Sequence, residues 1–391
     1  MPTAIIIGAG IGGLAAGVAL QRAGWRIRIY ERAAAPRELG FGVALAANAL
    51  AALRELDVAG PLLRAGAPLG DIAFLGEGGR LIRRLNARVA GAMVVALRPD
   101  LHGALLNAVE DVNLRLHHEI TGFTARATGV EVMLRNGATD QGDVLIGADG
   151  IQSAVRRHLH PTEPPPLASG YSAVRGVARG VEGTLGNLSG VTFLGDGIEA
   201  AALRAGSDAV YWYASLLSAE VHDTAPMAVM AARLPALPSM LQTIIRATPE
   251  ADLRFDVLLR RDPLPRWGTG RVTLLGDAAH PMLPHTGQGA AQALEDGVAL
   301  GLALSETTDL TAALRRYEAV RMARTRTFIA LGPRMARVTT TRSRVVQGLR
   351  TLALQWAPDV AFTLGTTELR RDPHAALRPN PRPMTEHGGS R

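Results

Sequence analysis

The feature that most constrains the fold is a glycine-rich turn near the N-terminus, between an apolar run and an alanine-rich segment. Residues 4–7 are all apolar, which is typical of a central parallel strand buried on both faces. The turn reads Gly8-Ala9-Gly10-Ile11-Gly12-Gly13, and a helix is predicted over residues 14–22. A second strand is predicted over residues 25–30, with Glu31 at its end. This order of strand, turn, helix, strand and acid predicts a Rossmann-like unit that binds a dinucleotide.

The Gly-x-Gly-x-x-Gly spacing explains how such a unit holds phosphates. The first glycine permits the tight turn, the second lets backbone amides approach a pyrophosphate, and the third lets the helix pack closely on the strand. The N-terminus of the helix adds free N–H groups and the positive end of its dipole. The carboxylate of Glu31 would bind a ribose hydroxyl and repel a 2′-phosphate, so the motif predicts FAD or NAD without separating them. The predicted contacts are Gly8, Gly10, Gly12, Gly13, Glu31 and Arg32.

Two later segments, read together with this turn, resemble a known family. The second motif is Gly147-Ala148-Asp149-Gly150, continuing to Arg156. The third is Gly276-Asp277-Ala278-Ala279-His280-Pro281, continuing through Pro284 to Gly287-Gln288-Gly289. In order and spacing, the three resemble the signature motifs of the single-component FAD-dependent aromatic hydroxylases, the p-hydroxybenzoate hydroxylase-like group.

Two smaller features extend this resemblance. Arg98-Pro99-Asp100-Leu101 is similar to the arginine that the family carries between its first two motifs. The turn Gly40-Phe41-Gly42, with Asn48, resembles the salicylate-hydroxylase-type branch. The resemblance covers roughly residues 1–350.

The resemblance implies an α/β fold with two domains and C-terminal helices. The implied units are a discontinuous Rossmann-like FAD-binding domain (1–69, 98–165 and 263–330), a mostly antiparallel β-sheet domain that binds the substrate (70–97 and 166–262), and a helical segment (331–369). Residues 370–391 contain four prolines and few large apolar side chains, which predicts a disordered tail.

The same resemblance implies roles for residues of the later motifs. Asp277 is expected to hold ribityl or ribose hydroxyls of FAD. The helix that begins near Gly289 is expected to direct its N–H groups at the flavin and to favour the anionic reduced form. Asp149 and Arg156 are expected near the FAD pyrophosphate and the nicotinamide nucleotide, with a purely structural Asp–Arg network as the alternative. The implied FAD contacts are Arg98, Asp149, Asp277, Pro284, Gly287, Gln288 and Gly289.

The reductant and the substrate are less defined. Only one Gly-x-Gly-x-x-Gly unit occurs, so NADH or NADPH is expected to bind transiently, and the sequence does not choose between them. Tyr211 and Tyr213 alternate along one strand and therefore share a face. The resemblance implies that such a residue contacts the substrate, with ordinary strand packing as the alternative. His285 is a candidate proton relay, whereas His280, within the third motif, is expected to be structural.

Three basic side chains are further candidates for contact with the substrate. His222 is a weaker candidate for a base. Arg175 and Arg204 are the candidate partners for a substrate carboxylate, and each is better explained as an edge or surface residue. Without a dedicated arginine, a salicylate-like substrate is disfavoured relative to a larger or neutral one.

The implied function is that of an FAD-dependent monooxygenase. NAD(P)H and O2 would hydroxylate a phenol-like or other electron-rich aromatic substrate through a flavin C4a-hydroperoxide. One alternative is an epoxidase or oxygenase of a polycyclic or specialised metabolite. Others are a flavin dehydrogenase or reductase without oxygen incorporation, and a flavin-binding signalling protein.

Composition limits the partners. The chain has no lysine, and residues 1–314 carry a net charge of −3 whereas residues 315–391 carry +10. A solvated arginine-rich face explains this charge distribution better than a docking surface for an anionic partner, so no nucleic acid is predicted.

The absence of cysteine excludes thiolate zinc sites and cysteine nucleophiles, and no metal is predicted. Lacking a secretory signal or a long apolar run, the chain is predicted to be cytoplasmic, without a membrane span, and a monomer or homodimer.

Overall fold

The computed structural model describes residues 1–35, 41–109, 114–221, 225–305, 307–365, 369 and 372–378. The strands are β1 Thr3–Ile7, β2 Arg26–Tyr30, β3 Gly42–Ala46, β4 Ala67–Pro68, β5 Ile72–Leu75, β6 Leu81–Leu85, β7 Met93–Leu97, β8 Leu114–Arg115, β9 Ile120–Ala125, β10 Val130–Leu134, β11 Thr139–Gly142, β12 Val144–Gly147, β13 Leu167–Arg179, β14 Gly190–Leu194, β15 Ile198–Ala205, β16 Ala209–Leu217, β17 Leu253–Arg260 and β18 Val272–Leu274. The helices are α1 Ile11–Arg22, α2 Ala47–Glu55, α3 Ala59–Ala65, α4 Ala87–Ala90, α5 Arg98–Asn107, α6 Ala154–Leu159, α7 Pro226–Ala231, α8 Ser239–Arg246, α9 Gly289–Leu304, α10 Leu310–Thr339, α11 Arg344–Trp356 and α12 Asp359–Gly365.

A parallel sheet forms the centre of the first unit. Its strand order is β18-β12-β1-β2-β8, and every neighbouring pair is parallel. All five side chains of β1 are buried, as expected for a central strand that is covered on both faces. The carboxyl ends of β1, β12 and β18 therefore meet at one edge, where ligands bind in such sheets.

Two helices pack side by side against this sheet. A Cβ at Gly297 of α9 would lie 2.7 Å from the backbone of Ala15 in α1, and one at Gly301 would lie 2.8 Å from the Cβ of Ala19. The contacts advance in the same direction along both helices, so α1 and α9 run parallel. Their N-termini therefore lie on the same side of the molecule.

A seven-stranded sheet forms the second unit, in the order β17-β13-β16-β15-β14-β5-β6. Its pairs are antiparallel apart from β14 with β5. One face packs on α7 and α8 through a core that includes Val174, Trp212 and Ile244. The alternate residues of β13, β15 and β16 lie on the other face, which turns toward the first unit.

The strand pairing differs from the predicted boundaries at one place. Residues 93–97 were expected in the substrate domain, yet β7 pairs antiparallel with β3 and β4 in a small sheet of its own. Both partners belong to segments assigned to the FAD-binding domain. A local apolar run such as residues 93–97 holds no information about which strand it pairs with.

The C-terminal segment also differs from the prediction. His374 and Leu377 are buried, and the His374 Nε2 lies 3.0 Å from the backbone oxygen of Glu295. Residues 372–378 thus pack on the first unit instead of being disordered, because Leu377 enters its core and Arg378 pairs with Glu55 at 3.0 Å. The remainder of the predicted tail, residues 370, 371 and 379–391, lies outside the described residues.

Within the described ranges, no helix combines the length and the apolar character that crossing a membrane requires.

Candidate active site

The glycine turn has the geometry that only glycine allows. Gly8 has a φ of +104°, a conformation that L side chains rarely adopt. A Cβ at Gly13 would lie 1.9 Å from the Gly8 carbonyl oxygen, so any side chain there would separate α1 from the turn. Gly10 is the N-cap of α1, and no side chain caps this helix end. The first amides of α1 are therefore available to an anion, as a pyrophosphate site requires.

Glu31 lies against this turn. Its Oε2 accepts a hydrogen bond from the Ala9 amide, and its Oε1 accepts one from the Ala33 amide, each at 2.9 Å. The ring of His102, which the sequence analysis did not single out, lies 2.7 Å from the Ala9 carbonyl oxygen through its Nε2. Arg32 is exposed beyond the turn. The first motif thus forms one preorganised cradle with a carboxylate beside it.

The second motif is held together by its own hydrogen bonds. The carboxylate of Asp149 accepts the Ser153 hydroxyl at 2.5 Å and the Ala154 amide at 2.6 Å, at the start of α6. Burial raises the pKa of Asp149. Arg156 is fully buried and pairs with Glu163 at 2.5 Å. Each of the two residues thus has its own partners, and the described contacts pair Arg156 with Glu163 and not with Asp149.

Arg156 also reaches the third motif. It donates to the carbonyl oxygens of Ala278 and Ala279 at 3.0 and 3.1 Å. Those residues follow Asp277, which is exposed just after β18. The second motif therefore fixes the backbone on which Asp277 stands, at the edge where the parallel strands end.

Open space lies in front of α9. Pro284–Thr286 forms a short turn, and Gly287 follows with a φ of +64°. A Cβ at Gly287 or Gly289 would have no atom within 4 Å. Gln288 is buried, and its Oε1 accepts a hydrogen bond from the Asn48 side chain at 3.0 Å. Together with the cradle at Gly8 and the exposed carboxylate of Asp277, this space fits a nucleotide that extends from α1 to α9.

A buried ionic network supports this region, and the sequence analysis missed it. Glu295 and Asp296 of α9 and Arg321 of α10 all have fully buried side chains. Arg321 binds Asp296 at 2.6 Å and Glu295 at 2.5 Å, and Arg324 binds Glu295 at 2.6 Å. The charges of His280 and Arg321 lower the pKa of Asp296 despite its burial.

The network is joined to the third motif. The second carboxylate oxygen of Asp296, Oδ2, accepts a hydrogen bond from the Gly276 amide at 2.9 Å and lies 2.5 Å from the Nε2 of His280. His280 is therefore part of this network. The only sequence signal was a pair of adjacent acids inside an otherwise apolar, alanine-rich helix.

Of the three predicted catalytic candidates, Tyr211 and Tyr213 lie on the face of the seven-stranded sheet that turns toward the first unit, and His285 contacts this face from the turn before α9. The rings of Tyr211 and Tyr213 are 6.2 Å apart, and burial raises the pKa of both phenols. A Cβ at Gly42 would lie 2.3 Å from the Tyr211 ring, so β3 packs directly on this tyrosine. His285 lies 2.9 Å from the Ser215 hydroxyl through its Nε2.

The environment of His285 keeps its ring neutral. Burial lowers the pKa of the imidazole below its ordinary value. The Tyr171 ring lies edge-on at a centroid distance of 5.6 Å. The Nδ1 atom is buried without a hydrogen-bond partner among the described residues.

Glu199 completes this cluster and was also missed. Its Oε1 accepts the Tyr213 hydroxyl at 2.8 Å. Arg175 lies on the same sheet face, with its closest acid Asp256 at 3.8 Å. Arg204 is on the opposite face and donates to the carbonyl of Leu188 at 2.9 Å, so it does not reach the cluster. His222 lies outside the described residues.

The parallel sheet, the glycine cradle and the space before α9 define an α/β protein that binds a flavin dinucleotide. A family model described as "FAD binding domain" matches residues 1–330. The chain is 37% identical over 343 residues to aurachin C monooxygenase/isomerase of Stigmatella aurantiaca, covering 86% of this chain and 89% of that protein. It is 31% identical over 338 residues to 3-hydroxybenzoate 6-hydroxylase 1 of Aquipseudomonas alcaligenes, covering 82% and 85%.

A solved structure of an FAD-binding protein has a similar fold. HpxO of Klebsiella pneumoniae, crystallised with FAD and uric acid, is 26% identical and superposes with a TM-score of 0.86 over 93% of this chain and 95% of that one. The chain therefore belongs to the FAD-binding-domain family, among the single-component FAD-dependent aromatic hydroxylases. It is an FAD-dependent monooxygenase, an oxidoreductase for which NAD(P)H is the usual reductant. The predicted family, fold class, enzyme class and cofactor are confirmed.

Proposed function

We propose that this monooxygenase hydroxylates a phenol-like or other electron-rich aromatic molecule that binds between the flavin and the seven-stranded sheet. The observation that carries the proposal is the cluster of Tyr211, Tyr213 and His285, which stands beside the turn that leads into α9. An aromatic ring would stack among these side chains, and a ring hydroxyl would have hydrogen-bond partners. NADH or NADPH supplies two electrons, one oxygen atom of O2 enters the substrate, and the other leaves as water.

The residues proposed to hold FAD follow the three motifs. When bound, FAD accepts a hydride and activates O2, while the protein supplies binding, orientation and exclusion of water. The proposed contacts are Gly8, Gly10, Gly12, Gly13, Glu31, Arg32, Arg98, Asp149, Asp277, Pro284, Gly287, Gln288 and Gly289. Support is stronger at Asp277, which is exposed at the edge where the parallel strands end, and weaker at Asp149, whose carboxylate is already bound within its own motif.

His285 is proposed to act on the substrate proton. Its neutral ring has one nitrogen near Ser215 and one buried nitrogen without a partner. That second nitrogen would accept a hydrogen bond from a phenolic hydroxyl of the substrate. This hydrogen bond would raise the electron density of the substrate ring, which is the ring to be oxygenated. The proton remains within hydrogen-bond reach, as general-base assistance requires.

The test is turnover of the purified FAD enzyme with NADH or NADPH against phenols, indoles and polycyclic phenols, under ¹⁸O-labelled O2. We expect substrate-stimulated oxidation of the nicotinamide and a product that carries one labelled oxygen atom. Stimulated oxidation with a product that lacks the label would instead identify a dehydrogenase or reductase.

Oxygenation of a polycyclic specialised metabolite is the second candidate. It is favoured by the 37% identity to a relative named for its action on aurachin C. Larger members of the same substrate panel test it directly. The partners are a small molecule and O2; we further propose a cytoplasmic location and a monomeric or homodimeric state.

A further inference from the structure

We propose that Glu199 is the specificity-determining residue of the substrate site, selecting an uncharged ring that donates an N–H or O–H hydrogen bond and disfavouring rings that carry a carboxylate. This inference rests on the proposed function, because it assumes that the substrate binds against this sheet face. It names the substrate class that the face would accept.

The evidence begins with an unsatisfied atom. Glu199 is the second residue of β15, stands among apolar neighbours, and is only 6% exposed. Its Oε1 accepts the Tyr213 hydroxyl, whereas its Oε2 is buried without a partner. Buried polar atoms are nearly always hydrogen-bonded, so an orphaned carboxylate oxygen requires an explanation. A carboxylate only accepts hydrogen bonds, so its missing partner is a donor.

The position of Glu199 places that donor in the substrate site. In the antiparallel register of β15 and β16, Glu199 lies directly opposite Ser215. Ser215 contacts His285, which belongs to the turn that leads into α9. The orphaned oxygen therefore shares its face with both predicted tyrosines and lies close to the flavin side of the site. On the opposite face of β15, Ile198 and Ala200 belong to the core that packs against α8.

Two arginines lie near the carboxylate of Glu199 without pairing with it. Arg175, on the same face, has Asp256 as its closest acid at 3.8 Å. Arg350 approaches from α11, but donates to the carbonyl oxygens of Leu194 and Thr339. Across the described residues, neither arginine forms an ion pair with Glu199. A substrate carboxylate at this site would meet a like charge in a region of low dielectric, where repulsion is strong.

The central experiment measures binding by the perturbation of the flavin absorbance spectrum, in the FAD-loaded enzyme. The probes are a phenol or indole, its O- or N-methyl analogue, and the matching ring that carries a carboxylate. We expect the wild type to bind the donor ring about tenfold more tightly than the methylated ring, since hydrogen bonds to charged groups are strong. Binding of the carboxylate-bearing ring is expected to be weaker still.

Glu199→Gln isolates the charge. Glutamine keeps the shape and still offers Tyr213 an acceptor, so we expect the donor ring to lose about tenfold in affinity and the carboxylate-bearing ring to gain. The matched control is Glu182→Gln, because Glu182 also has a buried, unpartnered Oε2 but its turn packs with Leu185 in the opposite core. That control should leave both affinities unchanged.

An unchanged ratio of donor to carboxylate affinity in Glu199→Gln would overturn the inference. If the glutamine variant loses FAD or fails to fold, the wild-type comparison of donor and methylated rings decides, and equal affinities would overturn it. Labelled-oxygen incorporation is scored separately. A shift in selectivity without oxygen incorporation would overturn the proposed reaction but leave the role of Glu199 standing. Oxygen incorporation without a shift in selectivity would overturn the role of Glu199 but leave the proposed reaction standing.

Discussion

At the scale of single residues, the site combines bound side chains, an exposed carboxylate and side chains with one unpartnered buried atom. The carboxylate of Asp149 is bound by Ser153 and Ala154. Asp277 is exposed at the edge of the parallel sheet, and Glu199 and His285 each keep one buried atom without a partner. Ligands bind at the edge where parallel strands end, and a buried polar atom without a partner is stabilised by a ligand that supplies its hydrogen bond.

The first prediction concerns Asp277. Asp277→Ala removes a charged acceptor for a ribose or ribityl hydroxyl, which should weaken FAD binding by about 1.5–3 kcal/mol. Flavin titration of the apoprotein measures this loss, and the purified variant should be paler. Asp262→Ala, at another exposed loop acid, should keep the parent affinity. An Asp277→Ala protein as yellow as the parent, with the same flavin dissociation constant, would refute the assignment.

The second prediction concerns pH. Because burial lowers the pKa of His285, the ring is neutral at pH 7 and becomes protonated only below the ordinary histidine value of about 6.5. Protonation of His285 removes the hydrogen-bond acceptor at its Nδ1 atom. As far as His285 is concerned, kcat/KM should therefore be constant above pH 7 and fall once the pH drops below the ordinary histidine pKa. His285→Gln should abolish this acidic limb, whereas His158→Gln, at an exposed histidine, should retain it. Identical acidic limbs in all three enzymes would exclude the proposed role.

At the scale of elements, α9 and α10 are joined by ion pairs instead of apolar packing alone. Arg321 binds Glu295, Asp296 and the side chain of Gln292. Asp296 in turn binds the Gly276 amide in front of Asp277. The position of the third motif therefore depends on a helix that begins more than thirty residues later in the chain.

Arg321→Met tests this dependence. It leaves two buried carboxylates short of a cation, which should lower the free energy of unfolding by about 3–5 kcal/mol. Thermal unfolding of the FAD-loaded enzyme measures the effect, and flavin affinity should fall with it. Arg337→Met, at an exposed arginine on the same helix, is expected to change little. Equal melting temperatures for the two variants would show that the network does not stabilise the fold.

The elements also show how far sequence reasoning extends. The helix predicted to begin near Gly289 starts at that residue as α9, and the predicted strand over residues 25–30 differs from β2 by one residue. These elements carry local signals, in glycine turns and apolar periodicity. The pairing of β7 with β3, and the contact of Glu199 with Tyr213, join segments by tertiary packing, which no local pattern encodes.

At the scale of the whole molecule, the C-terminal turn closes the first unit. Leu377 enters the main core, His374 contacts the backbone of α9, and Arg378 pairs with Glu55 at the end of α2. The composition of residues 370–391 obscured this, because one buried leucine stands among prolines and polar residues. A segment can be ordered by one anchor even when its average composition favours disorder.

Leu377→Ala tests the anchor. Removing a buried leucine side chain should cost about 2 kcal/mol of stability, visible as a lower melting temperature. Val345→Ala, at a side chain that is 71% exposed, serves as the control and should be nearly neutral. If both variants melt with the parent, the turn does not contribute to stability.

The close approach of α1 to α9 has a consequence for protein engineering. The two helices touch through Ala15 and Ala19 on one side and Gly297 and Gly301 on the other, with no room for a larger side chain. In a chimera made with a relative, these four positions must be inherited from one parent. Residues 166–262, which lie between them in the chain, are the natural cassette to exchange when a new substrate range is sought.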